Sequence, residues 1–219
     1  MLDQLVTLPS ILIVGSRRTG RSTLALELVR RLGAPHLDVF CHETEWKSCV
    51  PDECTHDFQD IERLGQILKT REKYFDRGVN EKSTIVLDQV SSTFLNSEPG
   101  RALCNNARCY GINLIVVTNC ITDIRPEFRG LLDYVLVLGC TYAYKIEYIF
   151  DLCVPDARYT KLDFFNLCFK LERGHALMIN NTSETIDFKT ISFPLRSYFQ
   201  AKPVEISVED SVEVPVEIE

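Results

Sequence analysis

An apolar run that stops on a glycine limits what this chain can fold into more than any other feature. Ile11-Leu12-Ile13-Val14 leads into Gly15-Ser16-Arg17-Arg18-Thr19-Gly20-Arg21-Ser22-Thr23, and apolar residues then return at Leu24, Leu28 and Leu32 before Gly33. Four consecutive apolar residues suit a parallel strand buried on both faces. The spacing that follows is helical, and Gly33 ends it. Between strand and helix, Gly15 and Gly20 stand at the spacing of the phosphate loop G-x-x-x-x-G-K-[ST]. The glycines let backbone N–H groups wrap around phosphates, and the helix N-terminus adds its positive end. Ser22 matches the pattern and offers a hydroxyl to Mg²⁺, with Thr23 just behind it. Arg21 replaces the lysine. It keeps a positive charge where β- and γ-phosphates lie, but it is forked and bulkier. A glycine-rich strand-to-helix turn with no ligand is the alternative reading.

The rest of the chain repeats the strand–helix alternation. Leu37–Phe40, Thr84–Leu87, Leu114–Val117 and Tyr134–Leu138 read as strands, and Asp57–Asp76 as a helix with Ile61, Leu64, Ile67 and Leu68 on one face. A further helix is expected before Tyr110. This pattern predicts an α/β fold, a doubly wound and mainly parallel sheet covered on both faces. Residues 141–153 and 159–170 read as helices, Ala176–Ile179 as a strand, and Thr185 to Phe193 as an extended segment. The expected organisation is one domain over 1–200 and a tail over 201–219. The tail holds one Lys and six acids, alternates Val or Ile with acids, and is interrupted by Pro203 and Pro215. It reads as disordered and solvated, with an edge-binding strand as the alternative.

Asp88 ends the third apolar run. A carboxylate there is the second acidic motif of phosphate-loop proteins and holds Mg²⁺. An Asp that only caps the next segment is the simpler alternative. One strand, Leu37–Phe40, lies in the chain between the loop and Asp88, the order of the additional-strand class. That class places a catalytic acid next, and here the position is Gln89. A glutamine orients water by hydrogen bonds but cannot take its proton.

The order of motifs resembles the genome-packaging ATPases of large eukaryotic DNA viruses, of poxvirus and iridovirus type, in the FtsK–HerA superfamily. The resemblance runs from about Ile11 to Thr182. Its most specific stretches are Asn106-Ala107-Arg108-Cys109-Tyr110-Gly111-Ile112, Leu114-Ile115-Val116-Val117-Thr118-Asn119, Pro126-Glu127-Phe128-Arg129 and Asp133-Tyr134-Val135. Val39-Phe40 with Thr44-Glu45, and Ala176 to Ser183, match more loosely. The resemblance implies a RecA-like P-loop NTPase that binds ATP and Mg²⁺, with Asn119 at a sensor position and Arg129 completing a γ-phosphate site, a neighbouring subunit's included. It also implies a homo-oligomeric ring around double-stranded DNA, working with capsid proteins. The departures fall on catalytic positions. Arg21 stands for Lys, Gln89 for the second acid, Asn119 for Gln, and Ala107 and Cys109 for Gly and His. Two functions follow: a DNA-translocating ATPase with slow hydrolysis, or a non-hydrolysing ATP-binding partner of an active motor. A small-molecule kinase fits the loop alone and not the later motifs.

Charge sharpens this only locally. The net charge is −7 and the tail carries −5 of it, so the body is close to neutral. A near-neutral body does not advertise non-specific nucleic-acid binding. Arg30, Arg31, Lys69, Arg71, Lys73 and Arg77 are the dispersed basic candidates for DNA contact. Nine cysteines without a visible secretory signal point to a reducing compartment: host cytoplasm, nucleus or virion for a viral protein. Cys41, His42, Cys49, Cys54 and His56 lack the spacing of a zinc ribbon or finger. They read as loop residues and reduced thiols, and Cys104, Cys109, Cys120, Cys140, Cys153 and Cys168 as small hydrophobes. No apolar run is long enough to span a membrane.

Overall fold

A computed structural model describes residues 5–42, 46–79, 81–89, 91–140, 142–154, 159–182 and 187–194. The 201–219 tail, Thr44-Glu45, Ser183 and the start of the segment expected from Thr185 lie outside the described residues.

The elements alternate as the sequence predicts. They are β1 (Ser10–Val14), α1 (Arg21–Leu32), β2 (His36–Cys41), β3 (Thr55–Asp57), α2 (Ile61–Asp76), β4 (Ser83–Asp88), α3 (Ser92–Asn96), α4 (Glu98–Asn106), β5 (Ile112–Thr118), α5 (Pro126–Arg129), β6 (Tyr134–Val137), α6 (Ala143–Cys153), α7 (Lys161–Phe169), β7 (His175–Asn180) and β8 (Asp187–Ser192). They form one eight-stranded sheet in the order β3-β2-β4-β5-β1-β6-β7-β8. The strands from β3 to β6 pair in parallel, and β7 and β8 add an antiparallel edge. In the chain β2 precedes Asp88, as expected. In the sheet, β5 is the strand that stands between β1 and β4.

The core divides into two layers, one on each face. Ile11 and Ile13 of β1 pack with Leu24, Leu28 and Val29 of α1. Leu12 and Val14 point the other way, into a layer with Leu64, Leu103, Ile146 and Phe164. This period-2 division explains the continuous apolar runs, because both faces of each central strand are covered. Helix α2 starts at Ile61 rather than Asp57. Residues 55–57 pair with β2, and Asp60 caps the helix by accepting from the Arg63 N–H. Among the described residues no helix is long and apolar enough to cross a membrane.

Candidate functional site

The register of the central strands brings the sequence motifs to one edge. Val14 pairs with Thr118, Val117 with Asp88, and Asp88 with Cys41. The phosphate loop, Asn119, Asp88 and Gln89 therefore emerge side by side at the carboxyl edge, where doubly wound sheets bind ligands. Two strand spacings, about 10 Å, separate the ends of β1 and β4.

The loop is built from close backbone approaches. A Cβ on Gly15 would come within 2.9 Å of Leu138 Cβ, so a glycine is required where the loop passes the end of β6. The Ser16 N–H donates to Gly139 O at 3.1 Å, and Thr19 Oγ1 donates to Ser16 O at 2.8 Å. Gly20 takes φ 95° at the start of α1, a conformation suited to glycine. No side chain caps α1, and its first turn holds no acid. The positive end of its dipole is thus not offset by an acid of its own first turn. Arg17 and Arg18 are exposed on the crown of the loop, Arg18 at φ 64°, while Arg21 is buried at 6% exposure. Ser22 and Thr23 open the helix, half-buried behind it.

Asp88 is 4% exposed, and its Oδ2 accepts a hydrogen bond from the Trp46 indole Nε1 at 2.8 Å. Ser22 and Asp88 supply a hydroxyl and a carboxylate. Hard oxygen donors of this kind are the ones that would hold Mg²⁺.

Gln89 adopts φ 60°, in the left-handed region that non-glycine residues seldom occupy. Its backbone N–H donates to Val117 O, which ties this turn to the end of β5. Its Oε1 accepts from Asn119 Nδ2 at 3.4 Å. The positions expected to hold the second acid and the sensor are thus in contact. Asn119 Oδ1 is buried without a hydrogen-bond partner among the described residues, an acceptor at the edge of the site.

Lys145, near the start of α6, donates from Nζ to Asn119 O at 3.2 Å and lies 5.9 Å from the centre of the Tyr142 ring. Cys140 is within electrostatic reach of this lysine and of Arg21. Burial pushes its thiol up to about 11, and both cations pull against that. Lys145 therefore brings a positive charge to the Asn119 end of the site. Sequence reading missed it, because an isolated lysine in an apolar helix follows no spacing rule. Trp46 was missed as well, although a lone tryptophan in a polar loop is a signal that could have found it.

Arg129 is elsewhere. Its Nε donates to Ile124 O at 2.7 Å. It lines a cavity of about 820 Å³ with Ser10, Arg108, Asp133 and Cys153 at the amino edge of β1 and β6. Arg108 forms an ion pair with Asp133 at 2.6 Å, and Asp133 also accepts the Ser10 N–H. Ser10, which lines the same cavity, starts β1, and the phosphate loop leaves the other end of that strand, about 15 Å further on.

Other candidates resolve into structural roles. Arg71 is buried, paired with Glu81 and set over the Tyr74 ring, so it is not a surface for DNA. Arg31 pairs with Glu27, whereas Lys69, Lys73 and Arg77 are exposed. His56 bonds Asp38 at 2.8 Å, His42 stacks on Phe58, and Cys41 and Cys49 are buried in the core. Cys104, Cys140, Cys153 and Cys168 are buried, with thiols pushed up to about 11 or 12 by desolvation. Cys109 is exposed and Cys120 half-exposed, against the expectation that both are core residues.

No protein-family model matches the sequence, and no curated protein matches it. Solved structures do match in shape. B204, the DNA-packaging ATPase from Sulfolobus Turreted Icosahedral Virus, superposes with a TM-score of 0.61 at 12% identity, over 86% of this chain and 100% of that one. The fold is that of the P-loop NTPases. The genome packaging NTPase B204 from Sulfolobus turreted icosahedral virus 2, in complex with AMPPCP, gives 0.58 at 12% identity, over 84% and 98%. EssC (ATPases 2 and 3) from Geobacillus thermodenitrificans gives 0.55 at 15%, over 90% of this chain and 46% of that one.

Proposed function

We propose that this chain is a nucleotide-binding P-loop ATPase that couples binding and slow hydrolysis of ATP to movement of double-stranded DNA during viral genome packaging. The observation that carries the nucleotide site is the carboxyl-edge row, where the uncapped start of α1, Asp88, Gln89 and Asn119 converge. The packaging role draws on the likeness to the B204 enzymes and on the FtsK–HerA resemblance of the later motifs.

In this reading the N–H groups of Gly15–Thr23 bind the phosphates, and Arg21 and Lys145 balance their charge. Ser22 and Asp88 would hold Mg²⁺, which would supply positive charge against the phosphates. The Gln89 and Asn119 amides orient the attacking water. Neither accepts its proton, so the rate rests on positioning and electrostatics. Arg129 serves the γ-phosphate of a neighbouring subunit in a homo-oligomeric ring, because its own loop is a strand length away. DNA runs through the pore, and capsid proteins are the partners outside it. The working compartment is reducing: host cytoplasm, nucleus or virion.

Titration calorimetry with ATP and ADP, paired with phosphate release with and without duplex DNA, tests the whole reading. Binding together with DNA-stimulated turnover is expected. Absence of binding at millimolar nucleotide by folded protein refutes the site. Binding with no turnover replaces the motor with a non-hydrolysing partner protein.

A further inference from the structure

Trp46 is the only tryptophan in the chain. It opens the short turn Trp46–Ser48 beyond β2 and is 1% exposed. It belongs to the core layer that includes Leu24, Val39, Val86 and Val117. An indole N–H can only donate, and a buried one needs an acceptor. Here the acceptor is the carboxylate of Asp88 itself, at 2.8 Å.

The choice of donor matters. A buried carboxylate needs hydrogen-bond partners to remain charged. A lysine or arginine at this position would supply them but would also neutralise the charge that a divalent cation requires. The indole satisfies Oδ2 while adding no charge. It is also held rigidly by the core, so this hydrogen bond fixes the orientation of the carboxylate.

We propose that Trp46 is a positioning residue for the metal carboxylate: it sets Asp88 for Mg²⁺ and senses whether Mg²⁺ is bound. The inference rests on the nucleotide-site reading above. If it holds, Trp46 acts on the magnesium-dependent part of nucleotide affinity and leaves the phosphate loop's own contribution alone.

The test is a calorimetric comparison of ADP binding with Mg²⁺ and with EDTA, for wild type and Trp46→Phe. The variant keeps an aromatic ring in the core and removes the donor. ADP affinity in EDTA should stay within about twofold, and the gain in affinity on adding Mg²⁺ should shrink by about tenfold, the scale of one hydrogen bond to a charged group. In the wild type, Trp46 emission should change when Mg²⁺ is added to the ADP complex and not when ADP is added in EDTA. This second readout needs no variant, so it decides the matter even if Trp46→Phe folds poorly. An unchanged magnesium gain in the variant, or emission that ignores Mg²⁺ while ADP binding is demonstrated, overturns the proposal. Equal losses with and without Mg²⁺ overturn it too, as the signature of a packing role. If neither protein binds ADP, the nucleotide reading itself fails and this proposal falls with it.

Discussion

At the carboxyl edge of the sheet Gly20 stands at φ 95°, Arg18 at 64° and Gln89 at 60°, and helix α1 begins without a side-chain cap. At the amino edge, Asp133 takes the Arg108 guanidinium and the Ser10 N–H. There a cavity of about 820 Å³ opens beside Arg129. Left-handed non-glycine backbone occurs at both edges, since Leu8 before β1 has φ 55°, but only the carboxyl edge combines it with an uncapped helix start, as functional sites do. The other holds charges in internal pairs around an open cavity. The difference teaches that, if the proposed roles of the loop and of Arg129 hold, the two lie at opposite edges of one sheet and meet only between chains. Helix α6 runs from one to the other, with Lys145 against Asn119 at its start and Cys153 lining the cavity at its end.

The largest expected effect separates the edges directly. Arg129→Ala should lower DNA-stimulated phosphate release of assembled protein by about a hundredfold or more, since an arginine supplied across an interface is worth about 10³ to 10⁵ in rate. The same variant, dilute and monomeric, should bind ADP within about twofold of wild type. A loss of affinity in the monomer would break the comparison by placing Arg129 at its own loop.

At the carboxyl edge, Arg21→Lys with Gln89→Glu should raise phosphate release by about tenfold or more, short of the roughly hundredfold at which full general-base contributions begin. Either change alone should do less, because groups acting as a unit are not additive. If wild type already matches the double variant, Arg21 and Gln89 are competent as they stand. Gly15→Ala should cost about 1–3 kcal/mol in urea unfolding, as overpacking does, because its Cβ meets Leu138. Nucleotide affinity should fall with it. Lys145→Ala should weaken ATP by several-fold and leave stability within about 0.5 kcal/mol, because Lys145 is half-exposed and its hydrogen bond goes to a backbone oxygen.

Much of the carboxyl edge was legible in the sequence because its signals are local. A buried run ending on glycine, a helical period after it, and an acid at the end of another run each define a strand end, and parallel topology gathers strand ends. The contacts that tune those ends were not legible. Trp46 reaches Asp88 across 42 positions, and Lys145 reaches Asn119 across 26. No periodicity records such pairings, which depend on where loops settle over the sheet. The same limit hid the location of Arg129. The motif around it was readable, but the route that carries it to the opposite edge is a matter of tertiary packing. Buried Arg71 shows the converse error of charge reading, in which a basic residue on a helix among acids turned out to be tucked under the surface against a half-buried Glu81.

The smallest expected effect concerns the strain at Gln89. Holding a non-glycine residue in the left-handed region costs about 1–2 kcal/mol, and glycine removes that cost while adding back about 0.5–1 kcal/mol of chain entropy. Gln89→Gly should therefore stabilise the fold by about 0.5 kcal/mol, read as a higher urea midpoint with an unchanged slope. It also removes the Oε1 acceptor of the Asn119 amide, so phosphate release should drop although the protein is more stable. Gln89→Ala is the matched control, since it loses the same amide and keeps the strained backbone. Activity should fall equally in both, and stability should rise only in the glycine variant. If both variants leave turnover at the wild-type level, the Gln89–Asn119 pair takes no part in orienting water, and the strain at this turn belongs to the packing of β4 against β5. If turnover falls but Gln89→Gly is no more stable than Gln89→Ala, the turn is held by the Gln89 N–H to Val117 O bond strongly enough that the left-handed backbone there carries no measurable cost.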